Sequence, residues 1–158
     1  MSESMTIEEL RNLHRSWSTW LTDTQKRRIH FQSLTNFINH FEELQTTKSK
    51  ELVLSYLNEY FLEVEDNNAT LTSSQSYELA TKFMDKIAAV YTAQLGFRSV
   101  INIKYVIIFS ILGDSILFLF LHNKVRFYIP VVTILLFAHY LYRTLTLGKS
   151  GKLFGIFY

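Results

Sequence analysis

Asp114 raises the first chemical question of this chain, because it lies inside the otherwise apolar run of residues 107–121. A charged aspartate at the centre of a membrane helix costs roughly 2.5–3.5 kcal/mol on insertion scales, so a compensating contact is required. On a helix, Ser110 lies one turn before Asp114 on the same face. Gly113 and Ser115 are small, and small residues allow helices to approach closely in lipid. The pattern predicts a contact surface around the acid.

A hydrogen-bond donor for Asp114 is expected from the second apolar run, residues 127–147. Counting outward from the middle of the connection near Lys124, Asp114 is level with Thr133 or Ile134. His139 lies about five residues deeper, or ~7–8 Å at 1.5 Å per residue, which is too far for direct contact within one chain. Thr133 is therefore the predicted donor, to a protonated Asp114.

Three roles for Asp114 follow from its position, and the sequence leaves all three open. A neutral Asp114 would hydrogen-bond across helices and hold the protein to itself or to another subunit. Copies of Asp114 would instead line a pore or relay protons, with Ser110 beside them. In the third role, the acid pairs with a basic residue of a partner protein. A lone acid in a membrane helix indicates function or assembly without separating the two.

Titratable and basic residues also mark the second run and the ends of both runs. His139 and Arg143 share one face at a four-residue spacing, and His139 is a candidate pH-sensitive group. The commoner role of such a histidine is a hydrogen bond to a neighbouring backbone group or tyrosine. Long basic side chains at the ends of membrane helices extend toward the headgroups. The predicted membrane-interface anchors are Lys104, Arg126, Arg143, Lys149 and Lys152.

Other chemistries find little support in the sequence. The Gly-Lys-Ser of residues 148–150 lacks the glycine five positions earlier that a phosphate-binding loop requires. His14, His30 and His40 do not have the spacing of a helical metal motif, so neither a metal nor another cofactor is expected. No side chain lies in a recognisable nucleophile turn. We therefore predict a protein that is not an enzyme.

The charges divide the chain into two parts. Before Arg98 there are nine Lys/Arg and thirteen Asp/Glu, a balance of −4, and from Arg98 onward seven Lys/Arg and one acid, a balance of +6. The basic residues of the second part flank apolar runs and form no stripe on a soluble face, which argues against nucleic-acid binding. Each run, residues 100–121 and 127–147, has the roughly 20 residues that a membrane span needs.

The short connection between the runs predicts an antiparallel transmembrane hairpin. Its orientation follows from the positive residues near the spans, which concentrate in the cytoplasm. The connecting loop holds two of them, Lys124 and Arg126. The side shared by the N-terminal part and the C-terminus holds Lys86, Arg98, Lys104, Arg143, Lys149 and Lys152. We expect a multi-pass membrane protein with two spans and both termini in the cytoplasm.

The first part of the chain, residues 1–97, is predicted to be a cytoplasmic domain of about four helices. Thr6 with Glu9, and Thr22 with Gln25, have the spacing of helix-starting capping boxes. Apolar residues recur at three- and four-residue intervals in four segments. These segments are residues 5–21, 22–44, 50–65 and a fourth that begins at Thr72.

Gly96 alone separates the fourth helix from the first span, and one interior glycine costs only about 1 kcal/mol. The fourth helix is therefore predicted to run into the first span, as one long helix or as two helices in line. The hairpin would cover residues 98–147, and residues 148–158 would form a basic, aromatic cytoplasmic tail.

The sequence thus predicts an all-α membrane protein, with the lipid bilayer as one partner and copies of itself or another membrane subunit as others. We expect an oligomeric or accessory subunit of a membrane complex that anchors or couples a cytoplasmic partner. The alternative expectation is a homo-oligomeric pore or ion/proton channel with Asp114 and Ser110 lining the lumen. Asparagine at position 114 separates the two, since it still hydrogen-bonds but carries no charge.

Overall fold

The computed structural model describes residues 4–67, 69–100, 103–121 and 130–155. The described chain is mostly helical, which confirms the predicted all-α class. It folds as two compact units. The first, here called the helical unit, contains residues up to Ser99 together with residues from Lys152 onward. The second covers Val100–Gly151.

The helical unit is built from helices that start at polar caps. Its α-helices are α1 (Ile7–Trp20), α2 (Asp23–Arg28), α3 (Phe31–Asn39), α4 (Thr47–Asp66), α5 (Ser73–Leu79) and α6 (Asp85–Leu95). A 3-10 turn covers Phe41–Glu43, and a π-helical segment, Ala80–Met84, joins α5 to α6. The capping boxes predicted at Thr6 and Thr22 are confirmed, and a third one at Thr72 starts α5.

The core of the helical unit is aromatic and aliphatic. Its buried hydroxyls are satisfied by backbone carbonyls, because an unpaired polar group in a core is costly. Tyr60 donates to the Ile29 carbonyl and Tyr91 to the Phe37 carbonyl, each at 2.6 Å. The largest fully buried side chains are Tyr60, Tyr91, Phe37, Phe61, Phe83, Phe97, Leu10, Ile29, Leu34, Ile38, Leu57 and Leu71.

The segment predicted as one helix over residues 22–44 is interrupted, so that prediction is wrong in this region. His30 adopts a left-handed conformation with φ 51°, which ends α2 and begins α3. Its ring Nε2 lies 3.1 Å from the Ser76 carbonyl oxygen. The Ser76 hydroxyl donates to the Arg28 carbonyl at 2.6 Å, so polar contacts with α5 hold this turn.

The prediction of one continuous helix from the fourth helix into the first span is also wrong. Helix α6 ends at Leu95, and Gly96 has φ 72°. The N–H groups of Gly96 and Phe97 both donate to the Tyr91 carbonyl. Glycine just past a helix end adopts this left-handed conformation without a Cβ penalty and satisfies open carbonyls. Gly96 therefore favours the end of α6, and the Phe97 side chain after it is buried in the core of the helical unit.

The second unit contains two apolar helices in contact, α7 (Ile103–Leu121) and α8 (Val131–Lys149). We call them the apolar pair. Among the described helices, α8 is long and apolar enough to cross a membrane, and Tyr105–Phe120 of α7 forms a shorter apolar stretch. The transmembrane hairpin therefore stays a prediction.

The chain after α8 returns to the helical unit, whereas the sequence predicted a separate tail. Strand β2 (Leu153–Phe154) pairs in parallel with β1 (Arg98–Ser99). The Asn36 side chain donates to the Leu153 carbonyl at 2.6 Å. The Ser33 hydroxyl donates to the Gly155 carbonyl at 2.9 Å and accepts from the Gly155 N–H at 2.8 Å. We call this arrangement of β1, β2 and the two α3 side chains the return clasp.

Candidate functional site

The candidate site begins with three buried side chains on α7. Val106, Ser110 and Asp114 follow one another at four-residue spacing, so they share one face of the helix. Asp114 is only 9% exposed. The side chain of this acid is therefore almost completely buried, although it lies in a predominantly apolar helix.

The Asp114 carboxylate accepts hydrogen bonds from the start of α8. Its Oδ1 accepts from the Val132 N–H at 3.0 Å, and its Oδ2 accepts from the Thr133 N–H at 3.1 Å. The Thr133 hydroxyl also donates to Oδ2. The structure thus contains the expected Asp114–Thr133 contact, and it adds two backbone donors that sequence reasoning missed.

These backbone donors are open because they belong to the first turn of a helix. The first N–H groups of any α-helix have no carbonyl partner within the helix. Pro130 occupies the N-cap position of α8 and supplies no side-chain hydrogen bond. Asp114 therefore does from a neighbouring helix what a capping aspartate ordinarily does from the same one. The positive end of the α8 dipole also favours a carboxylate there. We call this contact the interhelical cap.

A proline at the start of an apolar run was the sequence signal for these donors. Pro130 marks a helix start that lacks a capping side chain of its own. Together with the predicted proximity of Asp114, which is an acceptor, this proline indicates a carboxylate at the start of the second apolar helix.

Gly113 lies beside the interhelical cap, and a side chain there would collide with α8. A β-carbon built at Gly113 would lie 2.6 Å from Cγ1 of Val132, closer than two non-bonded carbon atoms normally approach. Glycine therefore permits the short distance between α7 and the first turn of α8. The sequence predicted close approach at Gly113 from its size.

The two serines predicted beside Asp114 differ in position. Ser110 is 2% exposed, and its hydroxyl has no hydrogen-bond partner among the described residues. Ser115 is exposed. With Asp114 and Thr133 it lines a surface groove of about 470 Å³, together with Ile111, Phe118 and Leu119.

The residues predicted to titrate or to anchor the protein are dispersed. His139 is exposed on α8, Arg143 is half-buried on the same helix, and Lys149 is its exposed last residue. Lys152 lies in the helical unit, with its ammonium 3.9 Å from a Glu43 carboxylate oxygen. Arg126 and the side chain of Lys104 lie outside the described residues.

Two histidines considered for metal binding are buried in the helical unit. The His14 ring stacks on Phe31 at 4.0 Å between centroids, and its Nε2 lies 3.2 Å from the Phe31 carbonyl oxygen. Burial lowers the pKa of His14 to about 4, against the opposing effect of the Phe31 carbonyl. Burial also lowers the pKa of His30. Within the described ranges, no three His, Cys, Asp or Glu side chains are grouped so that they could hold a metal ion.

Comparison with protein-family models, with curated proteins and with solved structures found no match for this chain.

Proposed function

We propose that this protein is a two-span membrane protein that acts non-enzymatically, as an oligomeric or accessory subunit that anchors or couples a cytoplasmic partner. The observation that carries the proposal is the outer surface of the apolar pair. Among described residues, sixteen large apolar or aromatic side chains are exposed between positions 105 and 145, against four in the helical unit. Exposed apolar patches of this kind mark membrane or protein contact sites.

The return clasp supports two crossings over one. The N–H of Arg98 donates to the Lys152 carbonyl at 3.0 Å, so the chain leaves and re-enters the helical unit at adjacent points. A single crossing by α8 would place these points on opposite sides of the bilayer. Helix α7 must then cross as well. Its 19 residues span about 28 Å at 1.5 Å per residue, close to the ~30 Å of a hydrocarbon core.

The interhelical cap supports a structural role for Asp114, in which the acid holds α7 to α8 within one chain. In a hydrocarbon environment no water satisfies open N–H groups, so a helix start inside it needs protein acceptors. Asp114 meets that need for Val132 and Thr133 within its own chain. The same contacts compensate the cost of the acid without a second subunit.

The cytoplasmic position of the helical unit is proposed from charge. Basic residues concentrate on the cytoplasmic side of membrane proteins. Arg98, Lys149 and Lys152 lie at the two connections between the units.

On the helical unit, the aromatic rings of Trp20 and Tyr77 are exposed. These residue types are enriched at interaction hot spots, so they are the proposed contacts for a cytoplasmic partner.

Alkaline carbonate extraction of membranes from expressing cells tests the proposal. We expect the protein to stay in the membrane pellet and to leave it only with detergent. Because the chain has no cysteine, single cysteines can then report sidedness in intact cells. Ser18→Cys should react with an impermeant maleimide only after permeabilisation, and Asn123→Cys should react before it. Recovery of the protein in the carbonate supernatant would contradict the proposal.

A pore is the second candidate, and the surface groove favours it. Asp114, Ser115 and Thr133 bring three polar side chains to one opening on an otherwise apolar surface. If copies of the groove faced a common lumen, purified protein in liposomes would conduct cations in preference to anions. Asp114→Asn would then reduce the preference for cations. Liposomes that stay electrically silent at high protein content would contradict a pore and leave the anchoring role.

A further inference from the structure

We propose that one face of α8 binds the same face of a second copy within the membrane, an inference that rests on the proposed membrane location. The face consists of Leu135, His139, Tyr142 and Thr146, and we call it the polar face. These residues follow at spacings of four, three and four, which places them in one strip along a helix. The structure therefore gives α8 a continuous surface of mixed polar character.

The polar face is turned away from the packed side of α8. All four of its residues are exposed, Leu135 at 63% and Tyr142 at 69%. The half-buried residues of the helix recur on a separate strip, which includes Val132, Leu136 and Tyr140. The contact with α7 therefore leaves the polar face without cover among the described residues.

Polar side chains on a lipid-facing strip are unfavourable, which distinguishes this strip from its neighbour. Ionisable residues within membrane segments almost always face a bundle interior, a water-filled cavity or a partner. The adjacent exposed strip of α8 is wholly apolar and suits lipid; it contains Ile134, Leu141 and Leu145. Of the two strips, the one with His139 is the one that needs protein beside it.

The hydrogen-bonding groups of the polar face complement each other in a symmetric pair. In a parallel two-fold dimer the same surface meets itself, so residue i contacts residue j and j contacts i. A three-residue spacing places two residues about one helical turn apart. The Tyr142 hydroxyl of one copy can then donate to the His139 ring of the other, twice by symmetry.

Disulfide cross-linking in native membranes tests the inference directly, because the wild-type chain has no cysteine. Leu135→Cys and Thr146→Cys leave His139 and Tyr142 intact and report the polar face. Ile134→Cys and Leu145→Cys report the apolar strip and serve as matched controls. After mild oxidation, we expect a band at twice the 18.6 kDa monomer mass, at least five-fold stronger for the polar-face positions.

A second series tests whether the two polar side chains hold the dimer. In the Leu135→Cys background, His139→Leu and Tyr142→Phe should each lower the cross-linked fraction several-fold. Thr144→Val changes an exposed polar residue on another side of α8 and should leave the fraction unchanged. If all three variants cross-link like the parent, the proposed hydrogen bonds do not exist.

The remaining outcomes separate this inference from the proposed function. Equal cross-linking on both strips, or cross-linking that disappears when the lipid content is raised, would overturn the second-copy interface. So would an adduct with a different membrane protein at the polar-face positions. In each case retention in the carbonate pellet would leave the membrane proposal intact. Loss from the pellet would overturn both.

Discussion

The helical unit buries most of its aromatic rings and exposes its charges, whereas the apolar pair buries Ser110 and Asp114 and exposes phenylalanine and leucine. The two units thus sort polar and apolar side chains in opposite directions. In the helical unit the hydroxyls of Tyr60 and Tyr91 are satisfied by carbonyls inside an apolar core. In the apolar pair the Asp114 carboxylate is satisfied by the N–H groups of Val132 and Thr133. This opposite sorting is the basis of the proposed membrane location of the apolar pair.

The sharpest test of this contrast compares two phenylalanines. Phe97 is fully buried, and Phe120 is 77% exposed. Phe97→Ala should destabilise the helical unit by about 3–5 kcal/mol, because it removes buried surface and leaves a cavity. Phe120→Ala should change the unfolding free energy by less than about 0.5 kcal/mol. Thermal or urea unfolding in detergent micelles, followed by circular dichroism, measures both. Equal losses would mean that Phe120 is packed against protein.

The second prediction removes the interhelical cap. Asp114→Leu leaves the N–H groups of Val132 and Thr133 without their acceptor. Each unsatisfied buried group costs about 1–3 kcal/mol, so the loss should be on the order of 3 kcal/mol. Asp114→Asn keeps one acceptor oxygen and should lose about half as much. Titration of the purified protein from mild detergent into sodium dodecyl sulfate gives the unfolding midpoints. A leucine variant as stable as wild type would show that the contact contributes nothing.

The third prediction concerns the close approach at Gly113. Gly113→Ala should cost about 1–3 kcal/mol, because the new methyl group meets Val132 at 2.6 Å and forces the helices apart. Val132→Ala removes the colliding methyl groups, so the double variant should recover most of the loss. The same detergent titration measures the four proteins of the cycle. Additive losses in the double variant would contradict a direct contact.

The smallest predicted effect is the pH response of the helical unit. His14 is neutral in the folded protein because burial lowers its pKa to about 4, whereas an exposed histidine titrates near 6.5. The unfolded chain therefore binds more protons between these values, and stability falls as pH drops below about 6.5. The loss should be on the order of 1 kcal/mol between pH 7 and pH 5.5.

Replacement of His14 checks the assignment of this response. His14→Phe keeps a ring against Phe31 and removes the titrating group. Urea unfolding at a series of pH values should show a smaller slope for the variant than for wild type. Burial lowers the pKa of His30 as well, so it contributes to the pH dependence in the same direction. An unchanged slope in the variant would assign the response to other groups.

Local physics explains what the sequence could predict. Capping boxes at Thr6 and Thr22 involve residues three apart, so their spacing is visible in the chain. The level of Thr133 relative to Asp114 follows from helical rise, and the structure contains that hydrogen bond.

The missed features depend on long-range contacts or on the position of one residue. The interaction of Ser33 with Gly155 joins residues 122 positions apart, which no periodicity reveals. His30 takes φ 51° because Ser76 holds its ring from another helix. A glycine inside a helix is unfavourable, whereas a glycine just beyond a helix end, such as Gly96, is favourable. The Ser33 and His30 features depend on tertiary contacts, whereas the Gly96 feature depends on the position of the glycine at the end of its helix.

The return clasp has a consequence for how the protein is made. Leu153 and Gly155 complete the helical unit, but the ribosome reaches them only after residues 100–151. At 5–20 residues per second, those residues take about 3–10 s to synthesise. During that interval the Asn36 amide group and the Ser33 hydroxyl lack the backbone groups of Leu153 and Gly155 that they bind in the folded protein. The helical unit is therefore completed last, after both apolar helices have been synthesised.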